Sequence, residues 1–209
     1  MKKLRVIALC ATLIVSLLAM SSCGVIRELI GAVEYPDAYS LTYEITQADG
    51  TVHTITKTVD EDGNVYLKTA DQERLYLKDG KNYTLYEKDE NGVFVSSGDE
   101  KYTAKAVDEA TSAIGDYAEQ SKNKLMPTAK KSGEDEILGR SCEIYKLGVG
   151  NDDNGAYYYY FVDAETGICL GLEIRQTAMG YEVEGNGETF VCTEFITENV
   201  EDLSLRVEK

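Results

Sequence analysis

Cysteine and histidine are the first places to look for chemistry in this 209-residue chain, which has five of one and one of the other. A nucleophilic thiol needs a neighbouring base or cation that lowers its pKa or takes its proton. The single histidine, His53, lies among Thr51, Thr54, Ile55 and Thr56, a polar strand-like run in which it reads as a solvated side chain. Cys142, Cys169 and Cys192 each sit in an apolar stretch, and no two of them stand at the short spacing of a metal-ligand pair. They read as small buried hydrophobes with at most one bridge, since three thiols cannot all pair. With 37 Asp and Glu residues, neighbouring carboxylates such as Asp60 and Asp62, or Asp152 and Asp153, arise by chance and carry no acid-base signal of their own. In Asp60-Glu61-Asp62-Gly63-Asn64 the glycine comes two positions too early for an EF-hand calcium loop. The run Tyr157-Tyr158-Tyr159-Tyr160-Phe161 could stack on sugars or simply fill an inner strand, and the absence of Trp favours the second. No phosphate loop, dinucleotide fingerprint or nucleophile elbow is present. The expectation is a chain with no catalysis, no metal and no cofactor.

Cys23 stands in a different setting. Met1 to Arg5 is a short basic segment, and an apolar run broken only by Thr12 and Ser16 extends to Met20. That is the pattern of an export signal, and it falls short of the ~20 apolar residues a membrane-spanning helix needs. The run ends in Leu17-Leu18-Ala19-Met20-Ser21-Ser22-Cys23-Gly24, which resembles the lipobox of bacterial lipoproteins, with Met20 where Leu is usual. The resemblance implies that residues 1–22 are a lipoprotein signal peptide and that Cys23 becomes an acylated N-terminus. Two or three acyl chains, at ~0.8 kcal/mol per buried methylene, hold a protein to a membrane without a span. The implied location is the exported face of the cell membrane or envelope, with the membrane itself as partner through Cys23.

Formal charge is −16, from 21 basic and 37 acidic residues, and loss of Lys2, Lys3 and Arg5 with the signal takes it to −19. Affinity for nucleic acid comes chiefly from Lys and Arg displacing counterions, so nucleic acid is excluded as a partner.

Elements that must carry any site follow from periodicity. Residues 23–37 form a lipid-anchored leader with a short helix, in which Val25, Ile26, Leu29, Ile30 and Val33 share one face before Pro36. From Ser40 the period becomes two, and Asp-Gly or Asn-Gly turns at Gly50, Gly63, Gly80 and Gly92 separate alternating runs, a hairpin signature. Across residues 101–125 the small apolar residues Ala106, Val107, Ala110, Ala113, Ile114, Tyr117 and Ala118 recur at helical spacing, which predicts an amphipathic helix of five or six turns. Residues 128–135 read as a polar loop, strands resume at Ile137, and Leu203 to Val207 reads as an edge strand. The prediction is one antiparallel α+β domain over residues 38–209.

Three segments carry a resemblance to a family. Ile137-Leu138-Gly139-Arg140-Ser141-Cys142-Glu143-Ile144-Tyr145, the aromatic run 157–161, and Val162-Asp163-Ala164-Glu165-Thr166-Gly167-Ile168-Cys169-Leu170 are similar to a hairpin of the lipoprotein-carrier superfamily that includes LolA, LolB, RseB and LppX. Tyr83-Thr84-Leu85-Tyr86 after Asp79-Gly80 is similar too. The resemblance implies a strongly curved antiparallel sheet, an incomplete barrel with helices across its concave face, where the best-known members hold acyl chains. For this chain the strand count would be roughly nine to eleven.

On that architecture one sheet face would present Leu75, Leu77, Tyr83, Leu85, Leu170, Leu172 and Ile174 to a helical stripe of Ala110, Ala113, Ile114 and Tyr117. These are the candidate contacts for a lipid or other apolar ligand, although such faces also pack fully against each other. Two functions are therefore expected of the chain, both non-enzymatic. It binds or carries an apolar ligand in the concavity, or it is a surface interaction module that holds protein or glycan through exposed strands and tyrosines without a cavity.

Overall fold

The computed structural model describes residues 35–111, 129–150, 154–183 and 189–207. Among the described residues, twelve strands form one open antiparallel sheet. The first six are β1 (Tyr39–Thr46), β2 (Val52–Val59), β3 (Val65–Lys68), β4 (Glu73–Asp79), β5 (Asn82–Lys88) and β6 (Phe94–Thr103), followed by the helix α1 (Ala104–Ala110). The rest are β7 (Lys130–Ile137), β8 (Arg140–Gly150), β9 (Asn154–Asp163), β10 (Cys169–Ala178), β11 (Tyr181–Val183) and β12 (Thr189–Ile196), before a 3-10 turn at Leu203–Arg206. Their spatial order is β6-β5-β4-β3-β2-β1-β12-β10-β9-β8-β7, with β11 beside β10. The two halves of the chain are thus joined through the β1–β12 pair, and β6 and β7 are the outer edges.

Alternation explains the first strands. Leu41, Tyr43 and Ile45 are at most 1 % exposed, while Thr42, Glu44 and Thr46 take the opposite face, as period two requires. The register Tyr43↔Ile55, Ile45↔Phe190 and Leu172↔Phe190 carries the inner row across β2, β1, β12 and β10. Hairpin turns fall where Gly follows a polar pair, and Gly63 and Gly80 adopt φ of +78° and +62°, open to glycine without strain. Asp60 is only 3 % exposed. Its carboxylate accepts from the amides of Asp62 and Asn64, and its Oδ2 accepts from the Leu203 amide at 3.0 Å, so this turn anchors the C-terminal segment.

Three expectations change. The helix covers seven residues, about two turns, with the Thr103 hydroxyl accepting from the Ala106 amide at its start. It closes at Thr111, whose amide and hydroxyl both donate to the Val107 carbonyl. A long helix across the concave face is not supported, and residues 112–125 of that prediction lie outside those described. Residues 130–137, within and beyond the expected polar loop, form the edge strand β7, paired with β8 from Lys130↔Lys146 to Ile137↔Arg140. An edge strand satisfies one ladder only and can stay polar on both faces, so no apolar alternation announced it. Leu203–Arg206 is a 3-10 turn instead of an edge strand, and only Phe94↔Val207 bridges to the sheet there.

The sheet end formed by β3 to β6 is covered on both faces. Val65, Tyr76 and Leu85 pack with Val107 of α1, and Tyr66, Leu75 and Phe94 pack with Leu203 on the opposite side. The larger core runs from Tyr39, Leu41 and Tyr43 through Tyr160, Val162, Ile168 and Leu170.

Candidate functional site

The register decides which of the expected ligand contacts come together. Tyr76↔Leu85 and Lys78↔Tyr83 put Leu85 and Tyr83 on the face that meets Val107 and Ala110. Leu75↔Tyr86 and Leu77↔Thr84 put Leu75 and Leu77 on the other face, against Leu203 and Val207. The two pairs therefore line no common surface. The sequence pattern that signals this is Val65-Tyr66-Leu67 and Leu75-Tyr76-Leu77, apolar at every position, which marks strands buried on both faces. Leu170, Leu172 and Ile174 join the larger core, where Tyr158 and Tyr160 lie on the adjacent strand. Cys23, Ala113, Ile114 and Tyr117 lie outside the described residues.

The face expected to hold a ligand is buried. Tyr43 and Leu67 are 0 % exposed, and Ile55, Leu147, Tyr160 and Leu172 are at most 9 % exposed. The Tyr43 hydroxyl donates to the Cys169 carbonyl, and its ring meets Phe190 edge-on at 5.6 Å between centroids. Burial pushes the phenols of Tyr39, Tyr43 and Tyr160 well above the ordinary tyrosine range. Two of the depressions lined by described residues lie away from that face's centre. One, of ≈ 380 Å³, is bounded by Asp62, Asn64, Leu77, Lys78, Gly80 and Ser204. The other, of ≈ 280 Å³, involves Glu44, Ile137, Phe161, Gly171, Glu173 and Val191 on the outer side of the sheet.

The thiols are chemically quiet. Cys142, Cys169 and Cys192 are all buried and unpaired, which resolves the open question of a bridge. Burial pushes Cys142 up to about 11 and Cys169 and Cys192 up to about 12. The thiolate is the nucleophilic and metal-ligating form, so burial disfavours both roles. His53 is partly exposed on β2, and among the described residues no cluster of His, Cys, Asp and Glu can hold a metal ion. One ion pair with a buried carboxylate is structural in setting: Arg140 donates through Nε and Nη2 to Asp163 at 3.0 and 2.9 Å, and Asp163 also accepts from the Thr166 hydroxyl at 2.6 Å. It fixes the Asp163-Ala164-Glu165-Thr166-Gly167 turn to the start of β8.

Outward faces carry the exposed aromatic and cationic groups. Lys146 Nζ lies 4.0 Å from the Tyr157 ring centroid and 5.5 Å from that of Tyr159, and the Arg175 guanidinium lies 4.8 Å from Tyr159. The β10–β11 hairpin exposes Met179 and Tyr181 at 83 % and 77 %. Alternation of the tyrosine run places Tyr157 and Tyr159 outward and Tyr158 and Tyr160 inward. Among the described residues no helix is long and apolar enough to cross a membrane.

No family model and no curated protein matches the chain. Among solved structures, it is similar to MucB with 18 % identity and a TM-score of 0.42, over 87 % of this chain and 60 % of that one. It is similar to a chain of the Pseudomonas aeruginosa MucA/MucB complex with 13 % identity and a TM-score of 0.42, over 82 % of this chain and 56 % of the other. A DUF1329 family protein from Desulfovibrio piger aligns at 12 % identity and a TM-score of 0.25, over 81 % and 89 %. The chain spans 60 % or less of the length of the first two of these chains.

Proposed function

We propose that this chain is an exported, acyl-anchored and non-enzymatic module that binds a partner protein through the exposed faces of its sheet. The observation that carries the reading is the buried inner face: Leu41, Tyr43, Ile45, Leu67 and Leu170 are at most 1 % exposed, so the surface a bound acyl chain would need is already covered. Interior packing of that kind leaves few voids larger than a water molecule. Exposed apolar groups lie outward instead, at Met179, Tyr181 and Val191. Buried, protonated thiols and a single partly exposed histidine support a role without chemistry.

Anchoring is proposed on the sequence. The lipobox-like run ending at Cys23 would tether a domain whose charge after signal removal is −19, held near lipid yet repelled from an anionic surface. A domain so placed is suited to sensing or handing on. Membrane fractionation with a Cys23→Ala control tests the tether: loss of membrane retention in the variant is expected, and unchanged retention would refute it. Titration with a fluorescent fatty acid tests the rest. No saturable binding is expected, and stoichiometric binding abolished by Ala110→Phe would restore the apolar-ligand reading.

A further inference from the structure

The outer face carries a notch that the sheet's own topology creates. Glu44 on β1 stands opposite Val191 on β12, Val191 opposite Gly171 on β10, and Gly171 opposite Phe161 on β9. These four positions form one row across four strands, spaced ~4.8 Å apart. Gly171 has no side chain to fill its place in the row. A Cβ there would lie 3.1 Å from Ile137 Cδ1 and 3.4 Å from the Phe161 ring, so those two groups close over Gly171 and form an apolar wall of the depression beside it. Strand geometry widens it: β12 pairs with β10 only at Gly171 and Leu172, after which β10 continues beside β11. The result is the ≈ 280 Å³ depression, floored by apolar groups, with Val191 41 % exposed and Glu44 exposed at its end.

The charges at this notch differ in their engagement. Glu173 is bound by Arg175 at 2.8 Å, whereas Glu44 makes no ion pair among the described residues. A free carboxylate stands about two strand spacings from an apolar gap, ~10 Å. The group that fits is a cation on an apolar stem of several carbons, which lays the stem along Val191 and the gap and brings its head to Glu44. We infer that this notch receives the lysine or arginine side chain of an extended, basic segment of another protein. The inference deepens the surface-binding reading and rests on it. It assigns a place and a partner chemistry, and the chain's strong negative charge steers such a segment toward the surface.

The test uses the full chain in nonionic detergent and a labelled peptide of alternating valine and lysine. Saturable binding is expected, weakened about tenfold by Glu44→Gln, the worth of one charge-assisted contact. Val191→Trp, which fills the notch without changing charge, should weaken it at least as much. Glu198→Gln, an equal loss of charge beyond the far end of β12, should leave it within twofold. A peptide in which 2,3-diaminopropionate replaces lysine keeps the charge on a stem too short to span, and should bind several-fold more weakly. The inference is overturned if Glu198→Gln weakens binding as much as Glu44→Gln, if the short-stemmed peptide binds equally, if Val191→Trp has no effect, or if spermine displaces the peptide at equal concentration. Each of those results leaves the surface-binding reading standing, because only a fatty acid held in the sheet's concavity defeats that.

Discussion

Tyr43 and Cys169 lie 126 positions apart, yet the Tyr43 hydroxyl donates to the Cys169 carbonyl at 3.0 Å. The bond links β1 to β10 across the intervening β12, and so ties the N-terminal and C-terminal halves of one sheet. Both residues are fully buried. Removing the hydroxyl takes away one buried donor, which typically costs ~1–2 kcal/mol. Tyr43→Phe is expected to lower the denaturation midpoint in urea by that free energy with an unchanged slope; a neutral effect would show that the bond does not brace the halves.

The Arg140–Asp163 pair predicts an acid-sensitive turn. Burial pushes the Asp163 carboxyl up, but the Arg140 guanidinium and the Thr166 hydroxyl and amide outweigh it and hold the carboxyl below the ordinary range. A depressed carboxyl adds stability above its unfolded pKa, ~3.9, and that contribution disappears as pH falls through the folded value. Asp163→Asn should cost ~2–4 kcal/mol at pH 7, since it leaves a partly buried guanidinium with only the exposed carboxylate of Glu165. Thermal melts between pH 7 and pH 2 should show a shallower acid decline in the variant than in the parent; equal declines would contradict the assignment.

Thiol labelling checks the three cysteines. With Cys142 pushed up to about 11 and Cys169 and Cys192 up to about 12, all are protonated and shielded at pH 8. A maleimide should modify them only after unfolding, as read by peptide mass mapping. Because these values exceed the ordinary thiol range, their stabilising contribution is complete below ~8.5 and is lost as pH rises toward the folded values. Rapid labelling of any of the three in the native chain would contradict this burial.

Leu75 and Leu85 sit on neighbouring strands and opposite faces, so their truncations should loosen different parts. Leu75→Ala and Leu85→Ala are each expected to cost ~2–4 kcal/mol. Hydrogen exchange should rise around Leu203–Arg206 in the first variant and around Ala104–Ala110 in the second, in keeping with their packing. If both variants loosen the same segment, the two-faced packing is wrong.

These placements show what the sequence made legible. Strand positions and the Asp-Gly and Asn-Gly hairpins were readable, because period-two alternation and turn chemistry are local signals. Which face a strand turns to which neighbour was not. Leu75 and Tyr76 are both apolar, so alternation sets them on opposite sides without saying which one meets the helix; only the packing of Tyr76 with Val107 decides it. The polar edge strand Lys130–Ile137 left no mark, since one ladder of backbone bonds suffices to hold it. The notch at Gly171 was also invisible, for it depends on three strands meeting in register and on Ile137 reaching over from a fourth. The closure of the outer face by Leu203 and Val207 likewise needed the Asp60 carboxylate to catch the Leu203 amide, a contact between residues 143 positions apart.

Native mass spectrometry of the chain from Gly24 onward, before and after organic extraction, tests the central claim most directly. A sheet whose inner face is buried at Tyr43, Leu67 and Leu170 should give one mass, that of the polypeptide alone, unchanged by extraction. A co-purifying acyl species that extraction removes, and that added fatty acid restores at one per chain, would contradict it.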